Sequence, residues 1–196
     1  MSESSPKKTA SWKDWHIPFS RDRVTLREAQ ASLSALGAKQ DDIPLMIQLV
    51  ENPRFNIPGF DIFHGAVDLK THDHIHILLG RGLLSKDEAF TIGFTMGSTN
   101  KVTTLEENLY TLFSKHLYPK VYQFNDEDIH VFKDATKLGF ISDCQPLDQI
   151  DYEKYLDRSL RDIRQDIGLE SDLIIAYYRI EKRRYPKSKA SRRLLD

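Results

Sequence analysis

The stretch THDHIHILLGRGLLSKDEAF places two histidines and two acids at spacings that suit a shared metal ion. The four residues are His72, Asp73, His76 and Glu88, in the pattern His-Asp-x-x-His-x11-Glu. Imidazole nitrogens and carboxylate oxygens favour zinc here, with iron, manganese or cobalt as alternatives. Such an ion leaves room for water or a substrate oxygen and serves as a Lewis acid. The pattern therefore predicts one divalent metal ion per chain.

Helical periodicity places these ligands close together. Residues 61–79 contain no proline, and their apolar residues recur at helical intervals. At about 100° per residue, His72 and His76 lie roughly 40° apart on one face, one turn above the other. Asp73 stands on the shoulder of that face, whereas His74 points to the other side and is not expected to bind metal. We expect this helix to present both imidazoles to one ion.

Two further residues are candidates for hydrogen bonding to the ligands. Asp68 lies one turn before His72, within reach to fix an imidazole tautomer, and His64 is the second candidate. Gly80 and Gly82 predict the end of the helix. A new helix is then expected to begin at Ser85, so that the chain folds back on itself.

Glu88 has two interpretations. A chain that folds back after Gly80 brings this carboxylate toward the histidines, as a metal ligand. Ser85-Lys86-Asp87-Glu88 is also a capping box, in which Glu88 would only bond the backbone N–H of Ser85. What favours a metal site is concentration, because four of the seven histidines lie between His64 and His76. Both interpretations of Glu88 stay open.

The pattern from His72 to Glu88, together with Leu78-Leu79-Gly80, resembles the metal-binding motif of the coenzyme Q (ubiquinone) biosynthesis protein 4 homologues. The resemblance implies that His72, Asp73, His76 and Glu88 are the metal ligands. It also implies an all-helical fold with an apolar prenyl-lipid pocket beside the metal. After Glu88, the segment AFTIGFTMGST has small and polar residues where such a helix is expected to be more apolar.

The same resemblance implies a role in ubiquinone biosynthesis. The chain would act on or organise polyprenylated ring intermediates, and removal of the ring carboxylate at C1 is the reaction it suggests. Its partners would be a prenyl-quinone precursor or another isoprenoid lipid, together with other biosynthetic proteins. Whether the chain is itself a metal-dependent lyase (decarboxylase) on a prenylated hydroxybenzoate, or a non-catalytic lipid-binding scaffold, stays open.

Composition indicates an ordinary globular protein. The chain has 196 residues, 40% apolar and 29% charged, enough for one domain with a substantial core. No apolar run has the length of a membrane span, and the N-terminus has no signal-peptide core. The single cysteine, Cys144, fits a reducing compartment and is expected to fill a core or turn position. We therefore expect a cytoplasmic protein, with a location at a membrane surface as the second interpretation.

The predicted fold is all-α, a single multi-helix bundle with flexible N- and C-terminal tails. Residues 1–20 are predicted to be a flexible lead-in, 21–185 the metal-binding domain and 186–196 a basic tail. Trp12, Trp15 and Phe19 could anchor the end of the lead-in on the domain. Apolar periodicity and stop signals predict helices at 23–36, 43–51, 61–79, from 85 onward, and at 105–117, 126–138, 147–167 and 171–184.

Charge is segregated along the chain. The stretch from Lys182 to Asp196 holds seven basic residues and one acid, a net of +6 in a chain of net −1. A disordered, solvated tail is one interpretation, and attraction to an anionic membrane surface is the other. No nucleic-acid-binding motif appears, and the basic stretch lacks interleaved aromatic residues, so nucleic acid is not expected as a partner.

A di-iron carboxylate bundle, acting as an oxidoreductase, is the alternative enzyme class. Asp73-x-x-His76 and Glu127-x-x-His130 each approximate the inward Glu-x-x-His arrangement of that class. The class also needs two bridging glutamates, and the pair at 106 and 107 supplies only one. Glu127 also suits the first turn of a helix, where an acid complements the helix dipole.

Overall fold

A computed structural model describes residues 11–36, 67–101 and 124–196, and seven α-helices account for most of their regular structure. The helices are α1 (Leu26–Ser34), α2 (Leu69–Leu79), α3 (Ser85–Ser98), α4 (Asp126–Ile141), α5 (Leu160–Asp166), α6 (Ser171–Arg184) and α7 (Lys189–Arg192). These residues contain no β-strand, so the predicted all-helical fold is confirmed for them. The helices predicted at 43–51 and 105–117 lie outside the described residues.

Side-chain caps fix the starts of several helices. Thr25 and Glu28 form a reciprocal capping box at the start of α1, with N–H to oxygen distances of 2.8 and 3.2 Å. Asn125 and Asp128 form the same arrangement at the start of α4. Each cap satisfies backbone N–H groups that the first turn of a helix cannot pair.

Helices α3 and α4 pack with almost no space between their backbones. A Cβ atom on Gly97 would lie 2.1 Å from the Thr136 carbonyl oxygen, and one on Gly139 would lie 2.3 Å from the Phe94 carbonyl oxygen. The predicted end of this helix at residue 138 is therefore wrong, because α4 continues to Ile141 and Gly139 serves the helix contact. Gly93 and Gly97 in the segment AFTIGFTMGST serve the same close contact with α4.

The single helix predicted over 147–167 is also wrong. The chain instead forms 3₁₀ turns at Leu147–Gln149 and Tyr152–Tyr155, followed by α5. Backbone hydrogen bonds link residues 156–161 with residues 22–27; the Leu26 N–H, for example, donates to the Arg158 carbonyl at 3.1 Å. This pairing between distant segments overrides the local helical pattern.

Residues at both ends of the described chain belong to the core. Trp15 and Phe19 are buried, as the anchoring prediction for the lead-in expects, whereas Trp12 is only partly buried. Ile17 is buried beside them, and residues 1–10 lie outside the described part. The predicted free tail at 186–196 is wrong. Leu194 is fully buried, and its carbonyl accepts the Phe19 N–H at 3.1 Å. The packed unit therefore extends beyond the predicted boundaries of 21 and 185.

Core side chains from all these segments form one cluster beneath α2. Ile75, Ile77, Leu78 and Leu79 of that helix are fully buried within or beside it. Cys144 is a buried free cysteine, as predicted. Burial raises the pKa of its thiol to about 11. Within the three described ranges, none of the helices has both the length and the apolar character that crossing a bilayer requires.

Candidate metal centre

Three side chains converge between α2 and α3, and we call His72, His76 and Glu88 the ligand triad. The His72 and His76 Nε2 atoms lie 2.9 Å apart. Glu88 Oε2 lies 3.0 Å from His72 Nε2 and 3.2 Å from His76 Nε2. All three side chains are buried, with exposed fractions of 9%, 0% and 3%. The triad is thus a set of potential ligand atoms that could hold a metal ion.

The spacing within the triad fits a common ion. Ligand atoms about 2.1 Å from one ion, at bond angles between octahedral and tetrahedral, lie about 3.0–3.4 Å from each other. The three observed distances, from 2.9 to 3.2 Å, fall at or close to that range. Two imidazoles and one carboxylate are a ligand set found in both zinc and non-haem iron sites.

The turn between α2 and α3 positions Glu88. Gly80 ends α2 in the left-handed conformation, at φ 64°, and a Cβ atom there would lie 2.9 Å from the Phe19 backbone. Asp87, rather than Glu88, caps α3, because its Oδ2 accepts the Leu84 N–H at 3.2 Å. The capping interpretation of Glu88 is therefore wrong. With the cap supplied by its neighbour, Glu88 faces the histidines.

The charges of the triad are mutually stabilising. Burial opposes ionisation of Glu88, but the charge on His76 and the hydrogen bonds from both histidines outweigh it and lower the pKa of this carboxyl. Burial likewise disfavours protonated His76, yet Glu88 raises the pKa of that imidazole. Because protonated histidines cannot bind a metal, an ion bound here would replace their positive charge as the partner of the Glu88 carboxylate.

Thr91 is a functional candidate that sequence reasoning missed. Its Oγ1 lies 3.3 Å from His76 Nδ1, and its side chain is fully buried. If His76 Nδ1 carries the proton and donates a hydrogen bond to Thr91 Oγ1, the lone pair of His76 Nε2 faces the other two members of the triad. The signal that could have found it is spacing, since Thr91 lies one helical turn after Glu88 on α3.

Asp73, the fourth predicted ligand, lies beside the triad without joining its close cluster. Its carboxyl is half-buried, and burial raises its pKa although His76 and His72 act in the opposite direction. Direct ligation by Asp73 stays a prediction.

The candidate hydrogen-bonding partners of the ligands, Asp68 and His64, are not found beside the triad in the described residues. Asp68 is the exposed N-cap of α2, where its two oxygens accept the Thr71 N–H at 3.0 Å and the Thr71 hydroxyl at 2.8 Å. Its predicted role in fixing a tautomer is therefore replaced by capping. His64 lies outside the described residues. His74 is outside the triad, as predicted, with its ring centroid 5.3 Å from that of Tyr152.

A buried ion cluster supports the turn from the opposite side, and it consists of Arg81, Asp87, Glu181 and Arg193. Arg81 donates two hydrogen bonds to Glu181, at 3.1 and 2.6 Å. Arg193 donates to Asp87 at 2.6 Å. Charge-assisted bonds of this kind are the strong ones in a protein interior, particularly when bidentate. The cluster ties the turn before Glu88 to α6 and to the C-terminal segment.

Side chains also bind the carbonyl groups at the end of α2. Arg164 Nε donates to the Leu78 carbonyl at 2.9 Å, and the Tyr178 hydroxyl donates to the Leu79 carbonyl. His16 Nε2 lies 3.2 Å from the Gly80 carbonyl oxygen. These contacts satisfy carbonyls that have no partner within the helix. They fix the end of the helix that carries both imidazoles.

The second motif of the alternative di-iron arrangement, Glu127-x-x-His130, does not contribute to the triad. The Glu127 carboxylate accepts a hydrogen bond from Lys86 at 2.5 Å, and His130 is exposed on α4. Neither residue belongs to the cluster of potential ligands in the described ranges. The glutamates at 106 and 107 lie outside those ranges. The structure therefore offers one three-ligand group here, without the paired arrangement.

Comparison with protein-family models, curated proteins and solved structures finds no match to this chain. The resemblance to the ubiquinone biosynthesis protein 4 homologues therefore stays a prediction that depends on residues 72–88.

Proposed function

We propose that this chain is a metal-dependent protein in which His72, His76 and Glu88 hold one divalent ion. The observation that carries the proposal is the approach of three buried ligand atoms to within 3.2 Å of each other. Asp73 is the fourth ligand or a hydrogen-bonding neighbour in this proposal. When bound, the ion supplies Lewis acidity, which polarises a substrate oxygen or lowers the pKa of a bound water.

The surrounding residues have distinct tasks in the proposed site. Thr91 keeps the His76 Nε2 lone pair directed at the triad. Glu88 supplies a carboxylate that offsets part of the positive charge of the ion. Burial of His76 and Glu88 keeps bulk water from competing for these contacts. The site as a whole is suited to orient an anionic oxygen of a substrate.

The substrate that best fits the motif is a prenylated aromatic precursor of a quinone. An ion held by His72, His76 and Glu88 would supply Lewis acidity to a carboxylate or phenolate oxygen of the ring. If the ring carboxylate left as carbon dioxide and a proton from water took its place, that positive charge would stabilise the charge that develops on the ring. What supports this substrate is the motif from His72 to Glu88. Mass spectrometry of lipid that co-purifies with the protein tests it, and a lipid extract free of isoprenoid compounds would count against it.

Replacing Glu88 with Gln tests the metal site itself. The amide keeps the shape of the side chain but is a poorer ligand, so we expect elemental analysis to find about one ion per wild-type chain and a large loss in Glu88→Gln. Glu153→Gln is the matched control, because Glu153 is an exposed glutamate that bonds Lys70. Equal metal content in all three proteins would refute the proposal.

A structural ion is the second candidate, and the burial of the triad favours it. An ion bound between α2 and α3 would link the two helices and stabilise the folded state by mass action. Removing the metal would then lower the melting temperature without changing the affinity for a prenyl lipid or a small anion. If the ion acts on a substrate, removing it must weaken at least one of these binding events.

A further inference from the structure

A cavity of about 490 Å³ lies directly beside the ligand triad. Its walls come from the start of α3, the start of α4, the segment around Trp12 and residues 187–190. Glu88 is one of the lining residues, although only 3% of it is exposed, so the cavity adjoins the triad at this residue. A single metal ion would fill only a small part of this volume.

Four lysines line the cavity, at positions 13, 86, 187 and 189. Three acids line it as well, and Glu88 among them is used by the triad. Because a bound divalent ion would also add positive charge at Glu88, the electrostatic field in the cavity favours an anion.

Lys86 is the best-placed of these cations. Only 4% of its surface is exposed, and its Nζ lies 2.5 Å from Glu127 Oε2 and 4.0 Å from the centre of the Tyr185 ring. A lysine is rarely buried to this extent without a paired charge. Its partner Glu127 is more than half exposed. The ammonium group therefore has a partner that can turn toward solvent when another anion arrives.

Lys187 provides a second positive charge. It is exposed and forms no ion pair with any residue in the described ranges, whereas Lys189 bonds Asp14. The lining also includes the large apolar side chains of Trp12, Leu83, Leu84 and Phe124. A pocket that combines lysines with apolar side chains is complementary to an organic anion that has an apolar body.

We infer that this cavity binds an organic anion whose carboxylate or phosphate group is held by Lys86 and Lys187. The apolar body of the ligand lies against the wall formed by Trp12 and Leu83. The inference rests on the proposed function in one respect, because Glu88 connects the cavity to the metal site. Binding of the anionic group by Lys86 and Lys187 does not require a metal ion in the triad.

The test is calorimetric titration of the full chain with benzoate, phenyl phosphate and inorganic phosphate, and with benzamide as the neutral probe. Wild-type protein is titrated both zinc-loaded and after treatment with a chelator. We expect benzoate or phenyl phosphate to bind more tightly than benzamide, and more weakly at 0.5 M salt than at low salt. Tighter binding of benzoate identifies a carboxylate ligand, and tighter binding of phenyl phosphate identifies a phosphate ester. Benzamide binding as tightly as both anions would overturn the inference.

Variants locate the binding to the lysines. Lys187→Gln should raise the Kd for the anion about threefold to tenfold, and Lys86→Gln should raise it further. Lys137→Gln is the matched control, because Lys137 is exposed on α4 and does not line the cavity. Glu127→Gln should lower the Kd, because it removes the acid that competes for Lys86. This gain in affinity cannot result from a folding defect.

The outcomes separate the two proposals. Chelator-treated protein that still binds the anion through Lys86 and Lys187, with no metal bound in any preparation, would refute the metal site and support the cavity. Metal bound at one ion per chain, with the same anion affinity in Lys187→Gln, Glu127→Gln and Lys137→Gln, would overturn the cavity inference and leave the metal site standing.

Discussion

At the scale of single residues, neighbouring side chains position the candidate ligands. His76 binds Thr91 through one ring nitrogen and faces the triad through the other. Glu88 can face the triad because Asp87 serves as the cap. Two neighbouring acids on α3 thus have different roles, one structural and one in the candidate site.

Thr91→Val tests the role of the threonine hydroxyl. The substitution keeps the branched shape and removes the hydrogen-bond partner of His76 Nδ1. Loss of such an outer partner typically lowers metal affinity about 10–100-fold, and we expect a decrease in that range by competition with a chelator. Thr95→Val is the control, since the buried Thr95 hydroxyl donates only to the Thr91 carbonyl. Equal affinity in the two variants would contradict the role of Thr91.

His16 should make the stability of the fold depend on pH. Burial, assisted by the charge of Arg193, lowers the pKa of His16 to about 4. Between this value and the ordinary pKa of 6.5 the unfolded chain binds more protons than the folded one, so stability falls as the pH decreases through that window. The loss for this half-buried residue is at most about 3 kcal/mol.

Urea unfolding at pH 7.5 and pH 5.0 measures this effect. His16→Gln has no titrating ring and can still donate to the Gly80 carbonyl, so it should lose less stability than wild type between the two pH values. The difference between the two proteins isolates His16 from the carboxyl groups that titrate in the same range. An identical loss in both would show that His16 does not titrate with folding.

At the scale of helices, the sequence predicted the local features of the site and failed on long-range contacts. The spacing of His72 and His76 and the glycine at position 80 predict a helix and its end, because both signals are local. Thr91 was missed because a threonine in a helix has many uses that sequence cannot distinguish. The helix predicted over 147–167 failed because residues 22–27 provide its backbone partners.

Gly97→Ala tests the close contact of α3 and α4. A Cβ atom at this position would lie 2.1 Å from the Thr136 carbonyl oxygen, so the two helices must move apart. We expect a net loss of about 1–3 kcal/mol in the free energy of unfolding, although alanine is the better helix former. Lys137→Ala on the exposed face of α4 should change stability by less than about 0.5 kcal/mol. A Gly97→Ala protein as stable as wild type would show that α3 and α4 have room for a methyl group at this position.

At the scale of the whole molecule, the basic C-terminal segment is part of the packed structure. Composition alone predicts a solvated tail there, but three of its basic residues have partners far away in the sequence. Arg193 pairs with Asp87, Arg184 with Asp134 and Lys189 with Asp14. No local pattern reveals such partners. These ion pairs leave fewer free charges for an anionic membrane than the sequence suggests.

Arg193→Met tests how strongly this segment is held. Asp87 is fully buried, and it would lose its closest cation while Arg81 stays 3.9 Å away. Removing one partner of a buried ion pair costs about 3–5 kcal/mol, and we expect a loss near the lower end by urea unfolding. Combining it with Asp87→Asn should cost less than the sum of the two single changes. Strict additivity would mean that the pair is not coupled.

The separation of contacts along the chain has a consequence for kinetics. The triad joins residues 16 or fewer positions apart, whereas Arg81 and Glu181 are 100 positions apart. Short loops close sooner than long ones during folding. A metal ion can therefore be captured by the nascent α2–α3 hairpin before the distant partners arrive. Their later arrival would trap the ion, so that it leaves the native protein far more slowly than it enters the partly folded chain.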